Sequence, residues 1–144
     1  MDLFSALSVP ASGMAAQRTR AALLVENIAN ADTTRTPQGG PYHRKDAVFS
    51  AEPQSSPFSS VFRAQLGEVT GVAVTDIVQD TRDPIKRYQP GHPDADSTGY
   101  VSFPRVNPAE DMVDLVAASR GYEANVSAMQ TIKDMIQRSI DLLR

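Results

Sequence analysis

The residues best suited to chemistry in this chain are His43, His92 and the acidic run Asp94-Ala95-Asp96-Ser97-Thr98-Gly99. Both histidines sit in turn-rich segments, without metal-ligand spacing to each other or to acids. The acidic run superficially matches the opening of a calcium loop. Position 12 of that frame is Arg105, where a bidentate glutamate is required, so Asx-turn chemistry is the better reading. Asp80 and Asp83 are paired carboxylates with no inferable cleft. Gly39-Gly40 lacks the lysine and helix of a phosphate loop, and no Ser-His-Asp order with an elbow glycine occurs. The expectation is a non-enzyme with no catalytic, cofactor or metal residues.

Composition narrows the class further. The 144 residues amount to one domain, with 41% apolar residues, few aromatics and a net charge of −3. That charge is spread evenly, without the basic, aromatic-interleaved patch of a nucleic-acid binder. Cysteine is absent, which excludes a disulfide scaffold. No apolar run is long enough to span a bilayer, and Met-Asp-Leu-Phe-Ser-Ala-Leu lacks the basic start of a secretory signal. On these grounds alone the default location is the cytosol.

The elements that must do the work are two apolar stripes. Phe4, Leu7, Ala11, Met14, Arg18, Ala21, Val25 and Ile28 alternate spacings of three and four, the rhythm of helices packed along their length. Pro10 disfavours helix at Val9, so residues 3–8 are expected to form a separate turn or short helix, with the main helix starting near Pro10. The second helix opens at Asn107-Pro108-Ala109-Glu110, with Asn107 as N-cap and proline at the first helical position. Its stripe runs through Met112, Leu115, Ser119, Tyr122, Val126, Met129, Lys133, Ile136, Ile140 and Leu143, widened on one flank by Ala118, Ala128, Ile132, Met135 and Leu142. Pro108 to Leu143 would span about 54 Å, more than the first helix can cover. Gly121 marks a close helix contact or a mild bend.

Between the stripes the chain reads as β and irregular structure. Asn30 to Thr34 ends the first helix, and Thr36 to Pro41 is a turn. Tyr42–Ala51 is one candidate strand and Gly71–Val78 a better one, together forming a small hairpin-like element. Residues 53–60 read as a surface loop, and 83–106 as a series of turns. Lys86, Arg87 and Tyr88 form a solvated cluster able to pair with a neighbour's carboxylates. The expected fold is mainly α, with long N- and C-terminal helices paired as a coiled-coil-like hairpin around a small β and irregular middle. Residues 1–34 plus 107–144 form the helical domain, and 35–106 the middle segment.

Several blocks carry a resemblance. Asn27 to Tyr42, Ser12 to Arg18, Val101 to Leu115, and Ala118-Ser119-Arg120-Gly121-Tyr122-Glu123-Ala124-Asn125 closely resemble segments of the bacterial flagellar basal-body rod protein family. Length and the Thr33–Tyr42 segment match best its C-type proximal rod branch. Residues 43–70 have no clear match, and Pro10 departs from the family's first helix. The resemblance implies a structural subunit of the axial rod that transmits torque, exported unfolded through the type III apparatus without a cleaved signal and lying across the periplasm. This overrides the cytosolic default. It implies as partners other proximal and distal rod proteins and base-ring or export-gate components, with no nucleic acid or small-molecule substrate.

On the same resemblance, Phe4, Leu7, Met14, Val25, Ile28, Met112, Leu115, Tyr122, Val126, Met129, Ile132, Ile136, Ile140 and Leu143 would face helix partners. Asn27, Asn30, Thr33, Thr34, Pro37, Gly39, Gly40, Pro41 and Tyr42 would shape the turn leaving the helices and its contacts between subunits. The alternative is a soluble helical adaptor that binds one partner through its C-terminal helix.

Overall fold

A computed structural model of the chain describes residues 3–53 and 70–142, with side chains described for residues 6–51 and 70–142. The elements run α1 (Leu3–Ala29), β1 (Lys45–Pro53), β2 (Thr70–Gln79), β3 (Ile85–Tyr88), β4 (Tyr100–Phe103) and α2 (Pro108–Leu142). The expected loop at 53–60 lies almost wholly outside the described residues, as does the expected stripe residue Leu143. Phe4 lies in α1, but its side chain is outside the description.

The first helix is continuous from Leu3 to Ala29, with Pro10 inside it. The expected break into a separate N-terminal turn does not occur. Proline removes one backbone donor and weakens the preceding turn, but tertiary contacts hold this stretch. Pro10 is buried. Two residues on, the Ser12 hydroxyl donates to the Val9 carbonyl at 2.7 Å and accepts the Val72 N–H at 3.1 Å, tying this turn to β2.

The second helix begins where its sequence signals place it. Asn107 Oδ1 accepts the Ala109 N–H at 3.3 Å, and the Asn107 carbonyl accepts the Asp111 N–H at 3.0 Å. Glu110 and Asp111 place negative charge in the first turn, where the helix dipole favours it.

The helices run antiparallel. Gly13 faces Asn125, Gln17 faces Gly121, and Arg20 pairs with Asp114. A Cβ at Gly13 would stand 2.8 Å from Asn125 Oδ1, and one at Gly121 would stand 3.2 Å from Gln17 Cδ. A larger residue at Gly13 would therefore displace the Asn125 side chain, and one at Gly121 would press on Gln17. This settles Gly121 as a close-contact position. The seam is built from small and amide residues, with Ala16 and Ala118 buried in it.

Two antiparallel two-stranded sheets make up the described middle. β1 pairs with β2 from Lys45↔Gln79 to Pro53↔Thr70, with an irregularity between Val48 and Phe49. The second sheet, β3 with β4, pairs Ile85↔Phe103 through Tyr88↔Tyr100. It corrects the reading of residues 83–106 as turns alone: four-residue strands are too short to give a periodic signal. Their pairing is supported by side-chain contacts, with Tyr88 edge-on to Tyr100 at 5.4 Å and the Arg87 guanidinium 4.8 Å from the Phe103 ring centre. The buried apolar set is small: Ala16, Leu23, Leu24, Tyr42, Val101, Phe103 and Ala118 among the described residues.

Candidate assembly interface

A buried polar hub forms where the end of α1 meets the start of β1. Asn27 is 0% exposed. Its Oδ1 accepts the Tyr42 hydroxyl at 2.8 Å and the Lys45 N–H at 3.0 Å, while its Nδ2 donates to the Lys45 carbonyl at 2.9 Å. One side chain thus supplies the backbone pairing that the first residue of an edge strand would otherwise lack. Lys45 closes the ring by pairing with Glu26. Burial, with Glu26, Asp111 and Asp46 nearby, pushes the Tyr42 phenol up to about 12, so it is a hydrogen-bond donor at any physiological pH.

Beside the hub, Arg44 links β1 to α2. Its Nη2 lies 3.1 Å from Oδ1 of Asp111, and its Nε donates to both carboxylate oxygens of Asp46 at 3.2 Å. Asp111 is 0% exposed, and neither of its oxygens accepts an aligned hydrogen bond. Burial raises its carboxyl pKa, and the Arg44 charge only partly opposes this. Burial alone would lower the pKa of Arg44, but Asp46 and Asp111 outweigh it and the guanidinium is held charged. Sequence reading missed this pair. The available signal was the seven-residue spacing of Asp111, Ala118 and Asn125, which marks a helix stripe beside the apolar one.

The predicted turn is present and cross-linked. The Tyr42 N–H donates to the Thr33 carbonyl at 3.0 Å and the Thr36 N–H to the Gly40 carbonyl at 2.8 Å, with Gly39 and Gly40 at φ of 90° and 76°. Asn30 Nδ2 bonds back to the Glu26 carbonyl at 2.9 Å, and Thr33 Oγ1 donates to Asn30 Oδ1 at 3.1 Å. Asn30, Thr33, Thr34 and Pro41 are half-buried, whereas Pro37, Gly39 and Gly40 are exposed. Asp94 fastens the turn to the segment before β4, accepting Thr34 Oγ1 at 2.8 Å and pairing with Arg35 at 2.8 Å. Asp96 Oδ1 accepts Thr98 N–H, Thr98 Oγ1 and Tyr100 N–H at 2.6–2.9 Å, the Asx-turn role the sequence favoured. These bonds from Thr98, then Tyr100, hold its carboxyl below the usual range.

The apolar stripe residues divide into two groups. Leu7, Met14, Ile28, Leu115, Val126, Met129, Ile132 and Ile136 are half-buried. Val25, Met112, Tyr122 and Ile140 are exposed, as are Met135 (55%) and Leu142 (87%) on the flank, together with Val113 (71%) and Val116, which neither stripe nor flank included. The α1-facing side of α2 is therefore rotated off the apolar stripe, toward Asp111, Asp114, Ala118, Gly121 and Asn125.

No group of three or more His, Cys, Asp or Glu among the described residues is placed to hold a metal ion. The cleft between α1, β1 and α2, about 210 Å³, is lined by Arg20, Arg44, Lys45, Asp46 and Asp114 above Leu23 and Leu24. Its charged groups are engaged in the pairs Arg20–Asp114, Arg44–Asp46 and Lys45–Glu26. No helix among the described residues is long and apolar enough to cross a membrane.

Paired terminal helices, polar groups spent on internal clasps and large apolar side chains left on the outer side of a long helix define a structural assembly protein. Residues 97–142 match the family model described as flagellar basal body rod FlgEFG protein C-terminal. Over the full chain, the sequence is 39% identical to the flagellar basal-body rod protein FlgC of Borreliella burgdorferi, covering 100% of this chain and 99% of that one. It is 39% identical to the protein of the same name from Bacillus subtilis, over 99% of each. The Salmonella typhimurium counterpart is 34% identical, over 99% of this chain and 98% of that one. The chain belongs to the flagellar basal-body rod protein FlgC family. The similarity includes residues 43–70, where motif reading found no match. It is a structural protein and not an enzyme.

Proposed function

We propose that the chain is a subunit of the proximal part of the flagellar rod, stacking with other rod proteins into the axial shaft that carries torque. The terminal helices, residues 1–34 and 107–144, form the axial core in this reading, and residues 35–106 make the outer contacts. Helix packing between subunits is coiled-coil-like and uses the apolar side chains that α2 leaves exposed, while the partners are the neighbouring proximal and distal rod proteins and the base or export gate. The subunit crosses the inner membrane through the flagellar export apparatus without a cleaved signal and ends in the periplasm-spanning rod.

The observation that carries this reading is the apolar surface left on α2 after α1 has packed. Met112, Val113, Val116, Met135, Ile140 and Leu142 are all more than half exposed. Large apolar side chains left exposed along one helix are the kind of surface that a protein contact covers. The experiment is complementation of a strain lacking this subunit, followed by counting of isolated basal bodies. Met135→Glu is expected to abolish rods, and Met135→Leu, which keeps the apolar surface, to leave them intact. Equal rod yield from the two variants would defeat the assignment.

A further inference from the structure

We propose that Asp111 is a proton-operated contact between β1 and α2: ionised, it holds Arg44 against the first turn of α2, and protonated, it gives Arg44 up to Asp46. The inference concerns the isolated subunit and stands whether or not the rod reading holds.

The geometry carries it. A carboxylate that is 0% exposed normally collects several donors, because removing it from water without them costs several kcal/mol by rough estimate. Asp111 has no aligned donor at either oxygen. Its compensation is the Arg44 charge at 3.1 Å, and Arg44 is shared with Asp46, to which it makes the better-directed bonds. The charges around Asp111 are mostly of its own sign. Glu110 and Asp114 flank it on α2, and Asp46 stands on β1. Arg20 is taken by Asp114 and Lys45 by Glu26, and the Tyr42 phenol is neutral. A proton on Asp111 therefore removes a poorly solvated charge and relieves repulsion from Asp46, Glu110 and Asp114. Arg44 loses one partner but keeps the other. Asn27, the Tyr42 hydroxyl and the Lys45 backbone are joined by hydrogen bonds between uncharged groups, so β1 stays fastened to α1 while its electrostatic link to α2 is released.

The sign is fixed by the direction of the shift. A carboxyl whose pKa is higher folded than unfolded binds its proton more readily in the folded state. Its contribution therefore favours folding on the acid side and is lost as pH rises through the folded value.

The test is a carbon-13 carboxyl titration of the full chain with simultaneous observation of the Arg44 Nε–Hε signal. Asp111 is expected to titrate above the ordinary aspartate value of about 3.9. The Arg44 signal is expected to move with the same midpoint, and Asp111→Asn to fix it at its low-pH position throughout. Titration of Asp111 at or below the ordinary value overturns the proposal. So does an Arg44 signal that follows Asp46 alone, or one whose pH response survives in Asp111→Asn. Should that variant fail to fold, the two midpoints in the unaltered chain decide the matter.

Discussion

The Tyr42 hydroxyl reaches Asn27 Oδ1 at 2.8 Å across the fifteen residues that leave α1, turn and enter β1. Because Asn27 also bonds the Lys45 backbone in both directions, one buried amide sets where the first strand starts relative to the helix. Tyr42→Phe removes one bond and leaves Asn27 two others, so it is expected to cost about 1–2 kcal/mol in urea unfolding. Asn27→Ala strands the Lys45 N–H and carbonyl and the phenol together, and is expected to cost about twice that. Equal midpoints for both variants would refute the hub.

The same phenol makes an alkaline signature. Its folded pKa of about 12 lies above its ordinary value of 10.0. The folded state thus holds the proton longer, and this contribution to stability, about 2–3 kcal/mol at most, is present below pH 10 and lost between about 10 and 12. Comparing urea midpoints of the unaltered chain and Tyr42→Phe isolates it. The difference in stability should narrow as pH rises through that window.

Arg44→Met is the complementary test at the second clasp. It leaves Asp111 buried without its counter-charge and is expected to cost about 3–5 kcal/mol at pH 7. Without the guanidinium the folded pKa of Asp111 rises further. The loss should therefore shrink on acidification toward pH 5, and Arg44→Met with Asp111→Leu should recover much of the stability at pH 7. A variant equally destabilised at pH 7 and pH 5 would contradict the assignment.

What was legible in the sequence follows from what makes a long-period or chemically distinctive signal. Asn107-Pro108 announced the start of α2 because cap chemistry is local, and Thr36–Pro41 announced a turn through two glycines and two prolines. Pro10 misled because propensity is a local preference, whereas the Ser12–Val72 tie that holds this turn is made sixty residues away. The sheet of β3 and β4 was hidden because four-residue strands carry too few alternations. The hub was half visible: Asn27 and Tyr42 were singled out, but the Lys45 backbone that completes it has no signature. The Arg44–Asp111 clasp left only the seven-residue spacing of Asp111, Ala118 and Asn125 as a signal, since each residue alone looks like an ordinary surface charge.

At the helix crossing, Gly13→Leu should destabilise by about 2–3 kcal/mol, since the new side chain occupies the space of Asn125 Oδ1. Asn125→Ala vacates that space. The double variant is expected to be more stable than the sum of the two single changes predicts, with a coupling of about 1–2 kcal/mol in a double-mutant cycle. Strict additivity would mean that the two residues do not meet.

The last prediction concerns the end of α2. Gly13 faces Asn125, and α1 begins only ten residues earlier at Leu3, so α2 beyond about Met135 runs past the start of its antiparallel mate. The side chains there agree, with Ile140 and Leu142 exposed. An unsupported helical end of two turns is marginal in water, since nucleation and packing must come from elsewhere. In a demonstrated monomer, amide-exchange protection is expected to be highest around Ala118 and to fall by at least about tenfold beyond Met135. In an assembled rod the same amides should gain protection, because the subunit contact supplies the packing that α1 does not reach. Uniform protection along α2 in the monomer would remove the physical reason for this end to seek a neighbour.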